Sequence, residues 1–584
     1  MRMSRAIGIF GALYLAIGAG SLFSQSLAQP HNPSLSSPAK DLASEKKLDS
    51  AASSQLPRLV DITSSTGIRF EHLSSPEQKY IVESMSGGVA LIDFDRDGWP
   101  DIYFTNAQSV EMARTGRKAR SALFHNNHDG TFTDVTDKAG VGFPCWAMGA
   151  AVGDYNNDGF PDLLVTAVGQ SRLFQNNGRG RFVDVTEKAG LGGRSAFSTS
   201  AMWFDFDRDG FLDLLICNYV KWSAAHDVFC SVDGKRKSYC TPEAYHGETC
   251  WLFRNRGNGT FEDVTARSGI FDSTSKSLGV ALLDYDRDGW PDLLIANDTQ
   301  PNKLYRNLRN GTFEDVAVRA GVAFSEDGKA RAGMGVDAAD FENCGMEGIA
   351  LTNFDNEMMA IYRPLRDGIY KDVALTAGVG QASRSSLGFG CAFLDINLDG
   401  HLDLAAVNGH IDETVRRIHG NVGYAQPPHL FLNDGKANFR DVAVQAGGGF
   451  ASPKVARGLA YADIDGDGDL DLLITTNQGP AWLYRTDILS GNRALRLHLT
   501  GTKSNRDAIG SLVRVFTPDG AQSRRVKSGS SYLSQSELAV TFGLAKRGAA
   551  ARVVVEWPSG VTQEFANVAA GSYRCTEGRK LERA

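Results

Sequence analysis

Short apolar runs separated by acidic turns recur along most of this chain. A run of small and apolar residues such as Gly88-Val-Ala-Leu-Ile92 leads into a turn, and a second such as Ile102-Tyr-Phe-Thr105 leaves it. Unbroken hydrophobicity over four or five residues, bounded by turn residues, predicts strands buried on both faces. A third strand ending in Asn comes next, then a Gly-containing turn, then a fourth strand of the type Phe-x-Asp-Val. Leu252-Phe-Arg-Asn255, Gly257-Asn-Gly259 and Phe261-Glu-Asp-Val264 are one such set. Glycine in that turn supplies the positive φ of a tight hairpin.

The turn between the first two strands is a nine-residue frame, starting at Asp93, Asp154, Asp205, Asp284, Asp340, Asp395 and Asp463. The starts are 61, 51, 79, 56, 55 and 68 residues apart, a period that suits four-stranded blades with variable loops. The fourth-strand motif has six copies after these turns, at Phe132–Val135, Phe182–Val185, Phe261–Val264, Phe313–Val316, Tyr370–Val373 and Phe439–Val442. The last unit lacks one, and a related Leu59-Val-Asp-Ile62 stands ahead of the first turn. An N-terminal strand that completes the last blade closes a ring and removes exposed sheet edges. The expected fold is all-β: a seven-bladed β-propeller over 58–490, its first strand closing the last blade. A small β-sandwich is expected over 491–578, where alternating runs such as Leu495–Leu499, Leu512–Phe516 and Val553–Trp557 replace the repeat.

Acids at positions 1, 3, 5 and 9 of the frame, with Gly at 6, make an oxygen-rich turn sized for a hard cation. Calcium takes six to eight oxygen ligands in flexible geometry. The expected ligands are Asp93, Asp95, Asp97 and Asp101 in the first loop and Asp154, Asn156, Asp158 and Asp162 in the second. In the third and fourth they are Asp205, Asp207, Asp209 and Asp213, then Asp284, Asp286, Asp288 and Asp292. The sixth and seventh hold Asp395, Asn397, Asp399 and Asp403, then Asp463, Asp465, Asp467 and Asp471. The fifth loop has Cys344 at position 5 and Gly348 at position 9, so about six calcium sites are expected and none in blade five. The net charge of −7 fits such a cation reservoir. No basic stripe with interleaved aromatics supports a nucleic-acid partner.

The chain opens with Arg2 and Arg5, an apolar run from Ala6 to Phe23 and a small-x-small site at Ser26–Ala28. This predicts a cleaved signal peptide over 1–28, a Ser/Ala/Pro/Lys-rich flexible linker over 29–57, and a secreted, periplasmic or cell-surface protein with no membrane association after cleavage. Eight cysteines make disulfides plausible in that setting. Cys230, Cys240 and Cys250 are ten residues apart in one insertion; their pairing is open, and no C-x-x-C supports zinc. Cys145, Cys217 and Cys391 fall in apolar strand patterns typical of buried free thiols.

The acidic loops resemble those of FG-GAP (integrin α-like) propellers. Gly501–Gly510, Tyr532-Leu-Ser-Gln535, Phe542-Gly-Leu544 and Trp557-Pro-Ser-Gly560 resemble the ASPIC/UnbV domain. Asn218–Trp222 with Cys230, Tyr239–Pro242 and Cys250 is similar to an insertion in the cartilage acidic protein family. The resemblance implies an exported calcium-binding adhesion or recognition protein with an extracellular glycan or protein ligand. Within the insertion Trp222, Tyr239, Tyr245 and His246 offer stacking faces and polar donors, and His410 follows the second strand of blade six. The alternative to a ligand surface is that these aromatics fold back as a satellite core. The basic run Arg524-Arg525-Val-Lys527 is expected to be a solvated face. No nucleophile elbow, H-E-x-x-H or phosphate loop appears, so no catalytic residue is assigned. Similar calcium-loop propellers occur among polysaccharide lyases, sugar dehydratases and lectins. His410, Tyr245 and His246 are the bases a lyase reading would need.

Overall fold

The computed structural model describes residues 56–584 apart from 75 and 232. The signal peptide and all but the last two residues of the linker lie outside the described residues. The described residues form one compact unit. Seven antiparallel four-stranded units occupy the repeat region, two of them joined into one eight-stranded sheet. Blade one consists of Val89–Ile92, Asp101–Phe104, Ala122–Asn126 and Phe132–Asp134. The inner strands of blades two to seven are Trp146–Gly153, Ala196–Phe204, Ser277–Leu283, Val336–Ala339, Gly388–Leu394 and Ala456–Ala462. Arg58–Asp61 precedes blade one in sequence but pairs with Trp482–Asp487 as the outer strand of blade seven, Leu59 opposite Thr486.

The inner strands crowd the axis, and small residues make the approach possible. A Cβ added at Gly88 would stand 2.2 Å from the Leu533 carbonyl oxygen, and one at Gly335 would stand 2.0 Å from that of Phe389. The cores lie between neighbouring blades. Phe341, Phe393 and Phe439, for example, pack between blades five and six.

The C-terminal part is a sandwich of two four-stranded sheets. One holds Ala494–Thr500, Val540–Gly543, Gly571–Thr576 and Glu582–Arg583. The other holds Leu512–Thr517, Gly520–Arg525, Ala549–Glu556 and Thr562–Ala569. The sandwich does not stand apart from the propeller. Its segment from Ser528 to Ser536 enters the central channel and bonds to one inner strand after another. Gln535 exchanges backbone bonds with Val89 and Leu91, and its side chain spans the amide and carbonyl of Val152 at 2.9 and 3.0 Å. Leu533 accepts from Ala150, and Ser530 donates to Val280. Ser531 pairs with Val336 in both directions, and Ser536 accepts from Tyr461. Tyr532 meets Phe389 edge-on at 4.9 Å and donates to the Met85 carbonyl. The Tyr532–Gln535 motif is thus an axle through the ring, supplying partners for inward-facing backbone groups that the blades leave over.

Replacing Gln535 by Ala strands the buried amide and carbonyl of Val152, at a cost of roughly 1–3 kcal/mol. Because the axle ties ring to sandwich, both should unfold in one transition with a lower midpoint. Denaturant melts of Gln535→Ala followed by tryptophan fluorescence and far-UV dichroism check this; a propeller transition left at its original midpoint would refute it.

Candidate functional site

Each acidic loop is knitted by its own amides. In the first, Asp93 accepts from the Asp97 and Gly98 amides at 3.0 and 3.1 Å, and Asp97 accepts from Trp99 at 2.9 Å. Position 9 is the buried end. Asp101 accepts from Phe94 and from the Asn126 amide at 3.2 and 2.8 Å. Asp213, Asp292, Asp403 and Asp471 repeat both bonds. The Asn that ends the third strand joins one loop to the next. Asn255 donates to Leu212 in its own blade and to Tyr155 in blade two, at 2.9 and 2.8 Å. Asn126, Asn176, Asn307 and Asn433 do the same around the ring. In blade five Pro364 stands at this position and the rivet is missing.

This knitting drives carboxylates together. Oxygens of Asp93, Asp95 and Asp101 lie within 4.8 Å of one another, as do those of Asp205, Asp207 and Asp213, of Asp284, Asp286 and Asp292, and of Asp463, Asp465 and Asp467. In loops two and six position 3 is Asn156 or Asn397, whose amide donates to the Asp158 or Asp399 carboxylate at 2.9 and 3.0 Å. Burial, joined by repulsion from neighbouring acids, raises the proton affinity of these groups. It carries Asp101 to about 9, Asp292 to about 8, and Asp154, Asp205 and Asp395 to about 7. Asp162, Asp213, Asp403 and Asp471 are pushed well above the usual carboxylate range by burial. Asp162 Oδ2, Asp207 Oδ1, Asp284 Oδ1 and Asp463 Oδ1 are buried without a hydrogen-bond partner. Orphaned oxygens in an all-oxygen donor set fit a hard divalent cation. Blade five differs: Asp340 accepts from Ser523 at 2.6 Å, and Glu342 pairs with Arg363 at 2.9 Å.

The chain supplies part of the positive charge itself. Arg254 of the third strand reaches Asp207 and Asp209, Arg306 meets Asp286 at 2.6 Å, and Arg309 meets Asp288 at 2.6 Å. In loop one imidazoles stand at the acids instead of guanidinium groups, His125 3.1 Å from Asp101 and His128 2.6 Å from Asp97. The sandwich supplies the rest. Arg496 lies 3.1 Å from Asp463, Arg525 lies 3.0 Å from Glu347 and 3.7 Å from Asp284, and Lys527 pairs with Asp337. The Gly543 amide donates to Asp395 at 3.0 Å, whereas Asp507 adds a further carboxylate beside loop two, accepting from the Asp154 amide at 2.6 Å. The run from Arg524 to Lys527 is therefore not a solvated face. Its strand turns toward the loop carboxylates, and the Arg525 side chain keeps 8% of its exposure. Strand alternation alone does not tell which face meets a partner; the signal available was a basic run in an acidic chain.

The insertion between the second and third strands of blade three emerges at the opposite end of the ring. Cys230 and Cys240 are joined by a disulfide within it. Trp222 and Tyr245 come together over the propeller end instead of lining an open cleft. Trp222 and Tyr245 share Asp227 as acceptor, at 2.7 and 3.3 Å, and Trp222 packs on Tyr80 and Trp146. Tyr245 is buried, and Tyr239 lies under Lys79 with its hydroxyl unpartnered. His246 is exposed. His410 is buried against Phe354, its Nδ1 accepting from the Asp412 amide and its Nε2 3.5 Å from Asp355. The nominated bases His410, Tyr245 and His246 thus sit in three different environments.

Arg525→Met should cost about 3–5 kcal/mol, because it leaves Glu347 and Asp284 buried without compensation. Arg525→Met/Glu347→Gln should recover a large part of that loss. Urea midpoints of the single and double variants measure the coupling, and equal losses in both would contradict it.

A model of the FG-GAP-like repeat matches residues 93–165, 154–216, 227–295, 284–343 and 417–474, and one of the ASPIC and UnbV domain matches 501–580. Cartilage acidic protein 1 of Mus musculus is 28% identical over 345 residues, covering 58% of this chain and 40% of that protein. The Homo sapiens protein is 28% identical over 355 residues, covering 60% and 41%. The match thus spans about two fifths of the length of these curated relatives. Among solved structures, an Agrocybe aegerita lectin that recognises non-reducing terminal N-acetylglucosamine aligns over 68% of this chain and 86% of its own, with a TM-score of 0.37 and 14% identity. YCF48 bound to D1 peptide aligns over 72% and 97%, with a TM-score of 0.39 and 8% identity. Neither likeness bears on function.

Proposed function

This chain belongs to the FG-GAP-like repeat family, with an ASPIC and UnbV domain behind its repeats, and from that footing we propose that it is an exported, calcium-binding adhesion or recognition protein without a catalytic centre. The observation that carries the calcium reading is the set of buried, unpartnered carboxylate oxygens in the loops. A divalent ion bound there completes their coordination and removes the mutual repulsion of the acids around it. The ligands are the four loop positions named above in blades one to four, six and seven. The ion stiffens the turn between inner and second strands, and the position-9 aspartate and third-strand asparagine pass that stiffness to the neighbouring blade. Those carboxylates are committed to coordination and to backbone amides, which argues against their use as general acids or bases. The disulfide in the insertion fits an oxidising compartment. Among the described residues no helix is long and apolar enough to cross a membrane.

Recognition of an extracellular glycan or protein is assigned to the end of the ring that carries the insertion, since the sandwich covers the loop end. Phe229, 64% exposed, and Val228 present apolar surface there, beside half-buried Trp222. Phe229→Ala should weaken retention on a bound ligand without changing calcium affinity. A panel of glycans and matrix polysaccharides, with retention and product mass read together, tests this. Calcium-dependent retention with unchanged mass is expected; shortened or unsaturated products would make the protein an enzyme instead.

Calcium should raise the melting midpoint. Each site held at 100 times its dissociation constant contributes about 2.7 kcal/mol, so several sites together give a shift on the order of 10 °C. Equal midpoints in calcium and in excess chelator would refute the reading. The pH dependence should flatten with the ion. Without calcium the loop acids bind protons more tightly folded than unfolded, so stability falls as pH rises from about 4 towards the value of about 9 reached by Asp101. With saturating calcium the carboxylates are held ionised in the folded state as they are in the unfolded chain, so stability should be level across this window and fall only as pH drops below about 4. Thermal melts between those limits, with and without chelator, measure both slopes.

A further inference from the structure

The seven blades provide an internal comparison at one pair of positions. Four residues after loop position 9, the second strand carries Thr105, Thr166, Thr352 and Thr475 in blades one, two, five and seven, and Ala296 and Val407 in blades four and six. Continuing each blade's antiparallel register places Ser121, Ser171, Met359 and Ala481, then Asn302 and Pro428, opposite them on the third strand. Blade three has cysteine at both positions. Cys217 and Cys250 follow directly on the Ile216–Trp251 pair and bracket the insertion that contains the Cys230–Cys240 disulfide.

The backbone around them is of the right kind for a cross-link. Leu252 turns its amide and carbonyl to the outer side of the blade, donating to Thr265 Oγ1 and accepting from Val264, both at 2.9 Å. Strand alternation turns Cys250 the same way. The Cys217 carbonyl looks towards the axis, accepting from Thr199 Oγ1 at 3.4 Å. The two cysteines therefore form a non-hydrogen-bonded antiparallel pair. In such pairs the Cα atoms are about 4.5 Å apart and the side chains share one face, within the range of about 4.4–6.8 Å that disulfides span. Both side chains are buried in the core of blade three, as free thiols in this structure.

We propose that Cys217 and Cys250 form a second, buried disulfide that clamps the two ends of the insertion to blade three. The proposal rests on the export reading for its oxidant, a protein or small-molecule disulfide met during folding. In the folded chain the Cys250 thiol donates to the Ser277 hydroxyl, 3.2 Å away. Exchange during folding, before both thiols are buried, can start from either sulfur; in one order Cys250 attacks first. Its thiolate breaks the donor's S–S bond and expels one thiolate. The Cys217 sulfur then attacks Cys250 in the mixed disulfide, forms the internal bond and expels the second. Two cysteine thiols lose two electrons and two protons, and the donor leaves as two thiols.

The test is non-reducing peptide mapping of full-length protein purified from an oxidising compartment, denatured in acid and alkylated. The expected result is a linked peptide pair holding Cys217 and Cys250 beside the pair holding Cys230 and Cys240, with Cys145, Cys344, Cys391 and Cys575 alkylated. A linked Cys230–Cys240 pair with Cys217 and Cys250 both alkylated overturns the proposal. If neither pair is linked, the export reading fails. The reduced chain refolded in calcium across a glutathione series then decides: a Cys217–Cys250 link supports the proposal, and two alkylated thiols wherever Cys230–Cys240 has closed refute it. Cys217→Thr/Cys250→Ser, which rebuilds the Thr–Ser pair of blades one and two, should fold and lose only this link.

Discussion

Crowding of like charge at one end of the ring is the constraint on which the rest of the structure depends. A propeller built from one repeated hairpin places every copy of that hairpin's turn at the same end, so a turn carrying four acids brings all its copies together. Buried carboxylates without compensation are costly. The chain meets the cost in three ways: amides within each loop, guanidinium and imidazole groups on the third strands, and Arg496, Arg525 and Lys527 of the sandwich. Oxygens that remain orphaned after all three are the ones a divalent ion would serve.

That arrangement explains why two parts with different sequence patterns form one unit. The sandwich brings cations to the loop end and also sends Ser528–Ser536 down the channel, where the inner strands accept it as a shared partner. Blade five shows the exchange most plainly. Its loop lacks acids at positions 5 and 9, and Ser523 of the sandwich bonds Asp340 there. The opposite end is left to the insertion, whose aromatics fold onto Tyr80 and Trp146 and whose exposed apolar surface is concentrated at Val228 and Phe229.

Much of the architecture was legible before any coordinates, because repetition turns weak local signals into strong ones. A single Phe-x-Asp-Val strand means little, but six copies with a displaced seventh at Leu59–Ile62 indicate a ring, and that segment pairs with Trp482–Asp487 in blade seven. The loop acids were legible for the same reason, since their spacing is local and sets which side chains share one turn. The insertion aromatics were harder. Composition showed that Trp222 and Tyr245 had apolar faces to bury, but not that Asp227 and the Tyr80 region would receive them.

The sequence alone thus determined what depends on neighbours within a few residues: strand period, turn chemistry and the spacing of the loop acids. Tertiary structure alone decided what depends on distant partners. Arg525 read as a solvated cation because alternation is blind to whatever packs on a strand, and only the docked loops reveal Glu347 beside it. Tyr532-Leu-Ser-Gln535 read as a domain signature and proved to be an axle, since its bonds run to strands hundreds of residues away. Cys217 and Cys250 are 33 positions apart in the chain, and the register of two strands brings them face to face.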